Sequence, residues 1–304
     1  MRTIYPFLIA ITFCAAATCS AATANADQPD QRATKQATFT LWQLPEQTHS
    51  QMMSYVMRTA GGKVIVIDGG TTGDAPYLRG FLAGLGNDVP AWFVTHPHSD
   101  HVEALAEILR HPQGLTIGTI YASMPDRDWV AKHVPRDEVA EVTDFEKALQ
   151  AAGRATTDMA VGQILLIDGV RIEVLGIKNP EFTQNCLNNS SVVLRVSDKA
   201  KSVLFLGDLG FEGGQKLLRT AGRDRLRADY VQMAHHGQNG VGEDVYRAVH
   251  PSYCLWPTPR WLWNNDAGKG VGTGPWRTLE VRGWMAKLNV KRHYVSADGL
   301  YRIE

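Results

Sequence analysis

Three imidazoles and a carboxylate crowd into one short stretch of the chain, Thr95-His96-Pro97-His98-Ser99-Asp100-His101. Imidazole nitrogens and carboxylate oxygens are a donor set for a divalent metal, and the sequence order divides them in two. His96 and His98, two apart, share a face of an extended backbone, whereas Asp100 and His101 fall in the following turn and can serve an adjacent position. That division suits two ions about 3.5–4 Å apart, bridged by a water and a shared carboxylate. A surface loop that happens to be rich in His is the alternative, and the flanks argue against it. The apolar run Ala91-Trp92-Phe93-Val94 precedes the cluster and the amphipathic stretch from Val102 to Leu109 follows it. A strand that ends in ligands just before a helix is how open α/β sheets build sites at their carboxyl edge.

Three further strand-like runs end in the same residue types. Val64-Ile65-Val66-Ile67 is apolar throughout and ends in Asp68; Val203-Leu204-Phe205-Leu206 ends in Gly207-Asp208; Tyr230 to Ala234 leads into His235-His236-Gly237. Asp68 reads either as a turn or helix cap or as a group that orients metal-bound histidines. Asp208 reads either as a cap for a helix over Gly213 to Ala221 or as the carboxylate bridging two metals, and the glycine before it lets the backbone approach closely. Neighbours on a strand point to opposite sides, so one of His235 and His236 faces the centre, and the spacing does not choose between them. Four strand ends with metal-type residues are best explained by convergence at one sheet edge. His111 and His133 lie in or beside helices without carboxylates at ligand spacing and are assigned solvated or packing roles.

The elements that must position these groups follow from periodicity. Thr38 to Leu44, Met52 to Arg58 and Lys63 to Asp68 read as an antiparallel meander, with Leu115 to Tyr121, Ile164 to Asp168, Val170 to Ile177 and Val192 to Val196 as further strands. Ala75 to Leu85, Val102 to Arg110 and Asp137 to Ala152 carry helical periodicity. The class is α/β, and residues 37–304 are expected to form one two-sheet domain with an ample core. The 304 residues carry 31 basic and 31 acidic side chains, so no basic excess provides a nucleic-acid footprint. Residues 1–26 read as an export signal: Arg2, an apolar run from Ile4 to Ala17, and the small-x-small site Ala24-Asn25-Ala26. The apolar run is shorter than the roughly 20 residues of a membrane span. The expectation is a periplasmic or secreted protein with no membrane span after cleavage near Ala26, preceded by a polar, disordered linker over residues 27–36. Cys186 and Cys254 remain in that mature chain, where an oxidising compartment would allow them to pair if they meet.

The His-x-His-x-Asp-His segment resembles the signature of the metallo-β-lactamase superfamily, and the resemblance covers nearly the whole chain after residue 37. It implies a four-layer αββα sandwich holding one or two metals. Within the superfamily the chain resembles the hydrolase domain of ComEC-type competence proteins and related secreted phosphodiesterases. The residues that carry this are Asn188-Asn189-Ser190-Ser191-Val192-Val193-Leu194, Leu206-Gly207-Asp208, Ala228-Asp229-Tyr230 leading into His235-His236-Gly237, and Tyr294 to Ile303. The resemblance implies His96, His98, Asp100, His101, Asp208 and His235 as metal ligands. It implies Asp68 as the carboxylate that orients them and His236 as a group beside the substrate. Two departures stand out. Relatives carry a further ligand His between the first cluster and the bridging Asp, where this chain offers Asn188 and Asn189, which are expected on the substrate side of the site. The site of His96 and His98 is therefore expected to be weaker, with an amide or water as third ligand, or only one metal binds tightly. Relatives also carry a Gly-His-Pro after the His-His-Gly strand, replaced here by Pro257 to Gly274 without histidine.

The longer stretch from Trp256 to Trp284 that contains this replacement is rich in tryptophan: Trp256, Trp261, Trp263, Trp276 and Trp284 are five of the chain's eight. It reads either as an aromatic core patch or as a substrate wall in which Trp261, Trp263 and Arg260 meet a small-molecule or phosphoester substrate. The expected chemistry is hydrolysis by Asp100, His236 and Asp68 around one or two divalent ions, zinc first, manganese or iron as alternatives. A bound ion lowers the pKa of its water to roughly 7, which places a nucleophile against a phosphodiester without a side-chain base. The alternatives are hydrolysis of a cyclic amide or ester, and a metal-binding module without turnover.

Overall fold

The computed structural model describes residues 37–304. The export signal expected over residues 1–26 and the linker over 27–36 lie outside the described residues.

The first part of the chain runs β1 (Phe39–Gln43), β2 (Ser54–Thr59), β3 (Val64–Asp68), α1 (Ala75–Ala83), β4 (Asp88–Phe93), α2 (Ser99–Arg110), β5 (Thr116–Tyr121), α3 (Arg127–His133), α4 (Arg136–Ala151) and β6 (Thr156–Thr157). The second runs β7 (Ile164–Ile167), β8 (Val170–Gly176), α5 (Cys186–Asn189), β9 (Val193–Ser197), β10 (Ser202–Phe205), α6 (Phe211–Ala221), α7 (Arg223–Leu226) and β11 (Tyr230–Gln232). It closes with α8 (Glu243–Val249), β12 (Tyr253–Trp256), α9 (Arg260–Trp263), α10 (Thr278–Lys287), β13 (Arg292–Val295) and β14 (Tyr301–Ile303). They form two 7-stranded sheets, ordered β14-β1-β2-β3-β4-β5-β6 and β13-β12-β11-β10-β9-β8-β7. The last strand thus returns to the first sheet, pairing antiparallel with β1.

The fully apolar strands have this composition because each face is covered. Val64 and Val66 of β3, with Trp92 of β4, pack outward under α1, α2 and α4. Ile65, Ile67 and Phe93 point the other way, into the layer between the sheets, where they meet Val203 and Phe205 of β10. Leu204 and Leu206 then face the outer layer formed with α6, α8 and α10. Alternation at period two therefore supplies two cores from one strand, and each large aliphatic side chain so buried contributes about 1.5–3 kcal/mol. The result is the expected four-layer αββα sandwich.

The arrangement matters for function because β3 and β4 are parallel neighbours in one sheet, and β10 and β11 are parallel neighbours in the other. Their carboxyl ends lie at one edge of the sandwich. Some expectations shift. α6 begins at Phe211, two residues before the apolar periodicity, and α3 and α8 are short helices whose periodicity is too brief to read. Cys186 sits in a small cluster with α3 and α4, its thiol 3.5 Å from the His133 carbonyl, whereas Cys254 is in the outer core of the second sheet; both are free thiols. No helix among the described residues is long and apolar enough to cross a membrane.

Candidate metal centre

Three of the four ligand-bearing strand ends, those of β3, β10 and β11, turn through left-handed backbone, whereas β4 leads through an extended His98 into α2. Asp68 has φ 55°, Gly207 φ 56°, His235 φ 52° and His236 φ 54°. A side chain in this region costs roughly 1–2 kcal/mol, so tertiary contacts must hold it. Gly207 has no choice: a Cβ there would lie 2.9 Å from Ser191 Oγ and 3.0 Å from Thr95 Cβ. At the His pair, the His235 amide donates to the Gly207 carbonyl at 3.1 Å, and Thr258 Oγ1 donates to the His236 carbonyl at 2.6 Å.

These turns and the first turn of α2 bring Asp100, His101, Asp208 and His236 together, one ligand atom from each lying within 4.8 Å of the others, and all four are buried. His101 Nε2 is 3.3 Å from Asp208 Oδ1. His236 Nε2 is 3.0 Å from Asp100 Oδ2 and 3.2 Å from Asp208 Oδ2. The far nitrogens are anchored: His101 Nδ1 donates to Asp68 Oδ2 at 2.7 Å and His236 Nδ1 to the Pro257 carbonyl at 2.7 Å. With those nitrogens as donors, both Nε2 lone pairs point inward. His101 Nε2, His236 Nε2 and Asp208 Oδ1 are buried without a hydrogen-bond partner. Buried polar atoms are rarely left so, and two carboxylates facing two imidazoles are the donor set of a divalent cation. The residues fit the ion that the sequence implied.

The electrostatics agree. Burial alone would raise the Asp100 carboxyl, yet His101 and His236 hold it below the usual range; Asp208 is held down against burial by His236 and His101. In return, although burial opposes it, Asp208 and Asp100 raise His101 well above its ordinary value and push His236 up to about 10. Burial lifts Asp68 in spite of His101 and Thr95. Asp68 accepts from the Thr95 amide at 2.8 Å and from Thr95 Oγ1 at 2.7 Å, so it touches the centre only through His101 and Thr95. It is a positioning residue.

A second pair stands beside this group. His96 Nε2 and His98 Nδ1 are 2.9 Å apart. Their other nitrogens are held by Thr95 Oγ1 at 3.2 Å and by Glu138 Oε2 at 3.2 Å. Because Thr95 Oγ1 donates to Asp68, the His96 Nδ1–H donates to Thr95, and two lone pairs then face each other across the gap; the tautomers follow from this network. Such a contact is repulsive unless a proton or cation is shared. Burial, together with His101 and His98, holds His96 well below its ordinary value, while Glu138 and Asp100 raise His98 against its burial.

Several sequence expectations need correction. His236, expected beside the substrate, is in the buried group of four. His235, expected as the ligand, stands at the rim, its side chain 17% exposed and its Nε2 3.8 Å from Asp208 Oδ2. The reason is local: β11 ends at Gln232, and the left-handed turn that follows removes the alternation assumed for a strand. Asn189, expected near the substrate, is fully buried and directed at α6, its Oδ1 accepting from the Gly213 amide at 2.9 Å. Asn188 is also buried, with Oδ1 unpartnered. Arg260 pairs with Asp298, and Trp263 packs edge-on against Trp256 beneath Arg282, whose guanidinium is 4.1 Å from its ring. Neither faces the centre. Trp261 reaches the loop between β1 and β2, donating from Nε1 to the His49 carbonyl at 2.8 Å. Thr95, Glu138, Gln51 and Gln238 were missed. None has a signature beyond its own polarity, and Thr95 alone could have been suspected from its place at the head of the His cluster.

Two sheets packed face to face, with a His and Asp centre at the ends of parallel strands from both, define an αββα protein with a candidate metal centre. The chain belongs to the Metallo-beta-lactamase superfamily, whose profile matches residues 49–253. ComE operon protein 3 of Bacillus subtilis (strain 168) is 28% identical over 180 residues, which cover 58% of this chain and 21% of that protein. The metallo-beta-lactamase fold protein YhfI from Bacillus subtilis has a TM-score of 0.54 at 12% identity, covering 88% of this chain and 99% of that one. A CmlA beta-hydroxylase variant has a TM-score of 0.51 at 14% identity, covering 88% and 54%. These last two likenesses concern the fold.

Proposed function

We propose that the protein is an exported metal-dependent phosphodiesterase. The observation that carries this is the buried group Asp100, His101, Asp208 and His236, with inward-facing atoms that have no hydrogen-bond partner. These four residues would hold the first divalent ion, zinc in preference to manganese or iron, and His96 and His98 would hold a second, weaker one. A divalent ion held there would supply Lewis acidity, lowering the pKa of water and drawing charge from a phosphoryl oxygen. The chain's own residues do the rest. Asp68 and the Pro257 carbonyl keep His101 and His236 in the tautomers that face inward. Asp208, adjacent to His101, His236 and His235, fixes the spacing of the centre. His235 stands partly exposed beside it, but burial lowers its affinity for a proton, so the task of the missing Gly-His-Pro histidine is not assigned to it. The likeness to ComEC-type hydrolase domains supports the phosphodiester, and the lack of a third histidine for the His96–His98 position argues against cyclic amides. The Arg2 to Ala26 segment supports export.

The test is turnover of bis(p-nitrophenyl) phosphate by zinc- or manganese-loaded protein, beside a chromogenic cephalosporin. Phosphodiester turnover that falls more than about 100-fold in H236A is expected, since loss of even an outer partner of a metal ligand typically costs 10–100-fold. Turnover of the cephalosporin alone would contradict the assignment.

A further inference from the structure

The loop between β1 and β2 crosses from the first sheet toward the second and places one amide on the centre. Gln51 Nε2 donates to Asp100 Oδ2 at 3.0 Å, the same oxygen that lies 3.0 Å from His236 Nε2. Gln238 Nε2 in turn donates to Gln51 Oε1 at 3.0 Å. Gln238 is buried and follows directly on the left-handed turn that carries His235 and His236. The relay therefore starts beside one member of the group of four and ends on another.

We infer that Gln51 is a positioning residue for Asp100, and that Gln238 sets which face of the Gln51 amide the carboxylate meets. An amide has a donor end and an acceptor end of nearly equal shape. Turned the wrong way, Gln51 would present Oε1 to Asp100, placing two acceptors in contact. The donor from Gln238 satisfies Oε1 on the far side and leaves only the NH₂ for Asp100. Two further contacts hold this register: the Met53 amide donates to the Asp100 carbonyl at 3.0 Å, and Trp261 pins the loop at His49. A carboxylate so held loses little rotamer freedom when a cation arrives, which is how outer partners raise metal affinity.

The inference rests on the metal reading of the centre, and metal affinity is its readout. Zinc and manganese are titrated singly, with a competing chromophoric chelator, into wild-type protein, Q51L and Q238L. Leucine keeps most of the side-chain volume and removes the amide. A Kd raised about 10–100-fold is expected in Q51L, and a smaller increase in Q238L, with the melting temperature of the metal-free protein unchanged. The double variant is expected to match Q51L, because both act through one amide. Wild type that binds the ion with a Kd equal to that of Q51L overturns the relay alone. Wild type that binds neither ion overturns the metal reading and the relay with it. Should Q51L fail to fold, Q238L carries the same test: a raised Kd supports the relay and an unchanged one overturns it.

Discussion

The two ends of the centre are built from the same residue types but held differently. Around Asp100, His101, Asp208 and His236, every far nitrogen is anchored on a buried partner, Asp68 or the Pro257 carbonyl, and the Asp68 side chain is 0% exposed. At the His96–His98 pair, one anchor is the buried Thr95, but the other is Glu138, whose side chain is 32% exposed. The first end gathers ligands from both sheets, whereas the second draws its nitrogens from one loop. Position in the fold, rather than donor chemistry, decides how firmly a ligand is pre-set, and the first end is therefore expected to bind its ion more tightly.

The largest way to break this contrast is Asp208→Ala, which removes a carboxylate that contacts both His101 and His236 and also acts on His96 and His98. Both positions are expected to lose their ions, measured as metal content after dialysis, with turnover falling more than about 100-fold. Asp68→Asn comes next. It weakens the acceptor of His101 and is expected to lower tight-site affinity about 10–100-fold, read by chelator competition, while leaving two ions able to bind at high concentration. Glu138→Gln sharpens the contrast from the other side. It is expected to weaken only the second ion, by about 10-fold, so that isothermal titration retains the first binding phase. Trp261→Phe removes a single hydrogen bond from the rim loop and is expected to cost about 1 kcal/mol or less in thermal stability, with at most a few-fold change in metal Kd.

How much of this was legible in the sequence depended on whether a signal was local. The strand ends were readable because an apolar run stops abruptly at Asp68, His96 or Asp208; strands apolar on both faces pointed to a covered sheet, and the four-layer sandwich came from the family resemblance. The choice between His235 and His236 was not, because it depends on β11 stopping at Gln232 and on two successive residues with positive φ, which His tolerates but does not announce. Family likeness pointed to His235, whereas the buried group of four contains His236. Gln51, Gln238 and Glu138 are ordinary polar residues in loop and helix; only the fold brings them to Asp100 and His98. In the tryptophan-rich stretch, composition suggested a wall for substrate, whereas packing divides it. Trp256 and Trp284 are buried in the outer core and Trp263 packs against it, while Trp261 and Trp276 pair with ring centres 4.8 Å apart.

The measurement that bears most directly on the account is the metal content of H235A and H236A, each loaded with zinc and dialysed beside wild type. H235A is expected to keep the tightly bound ion and H236A to lose it. An H236A protein that retains its zinc while H235A loses it would contradict the centre described above.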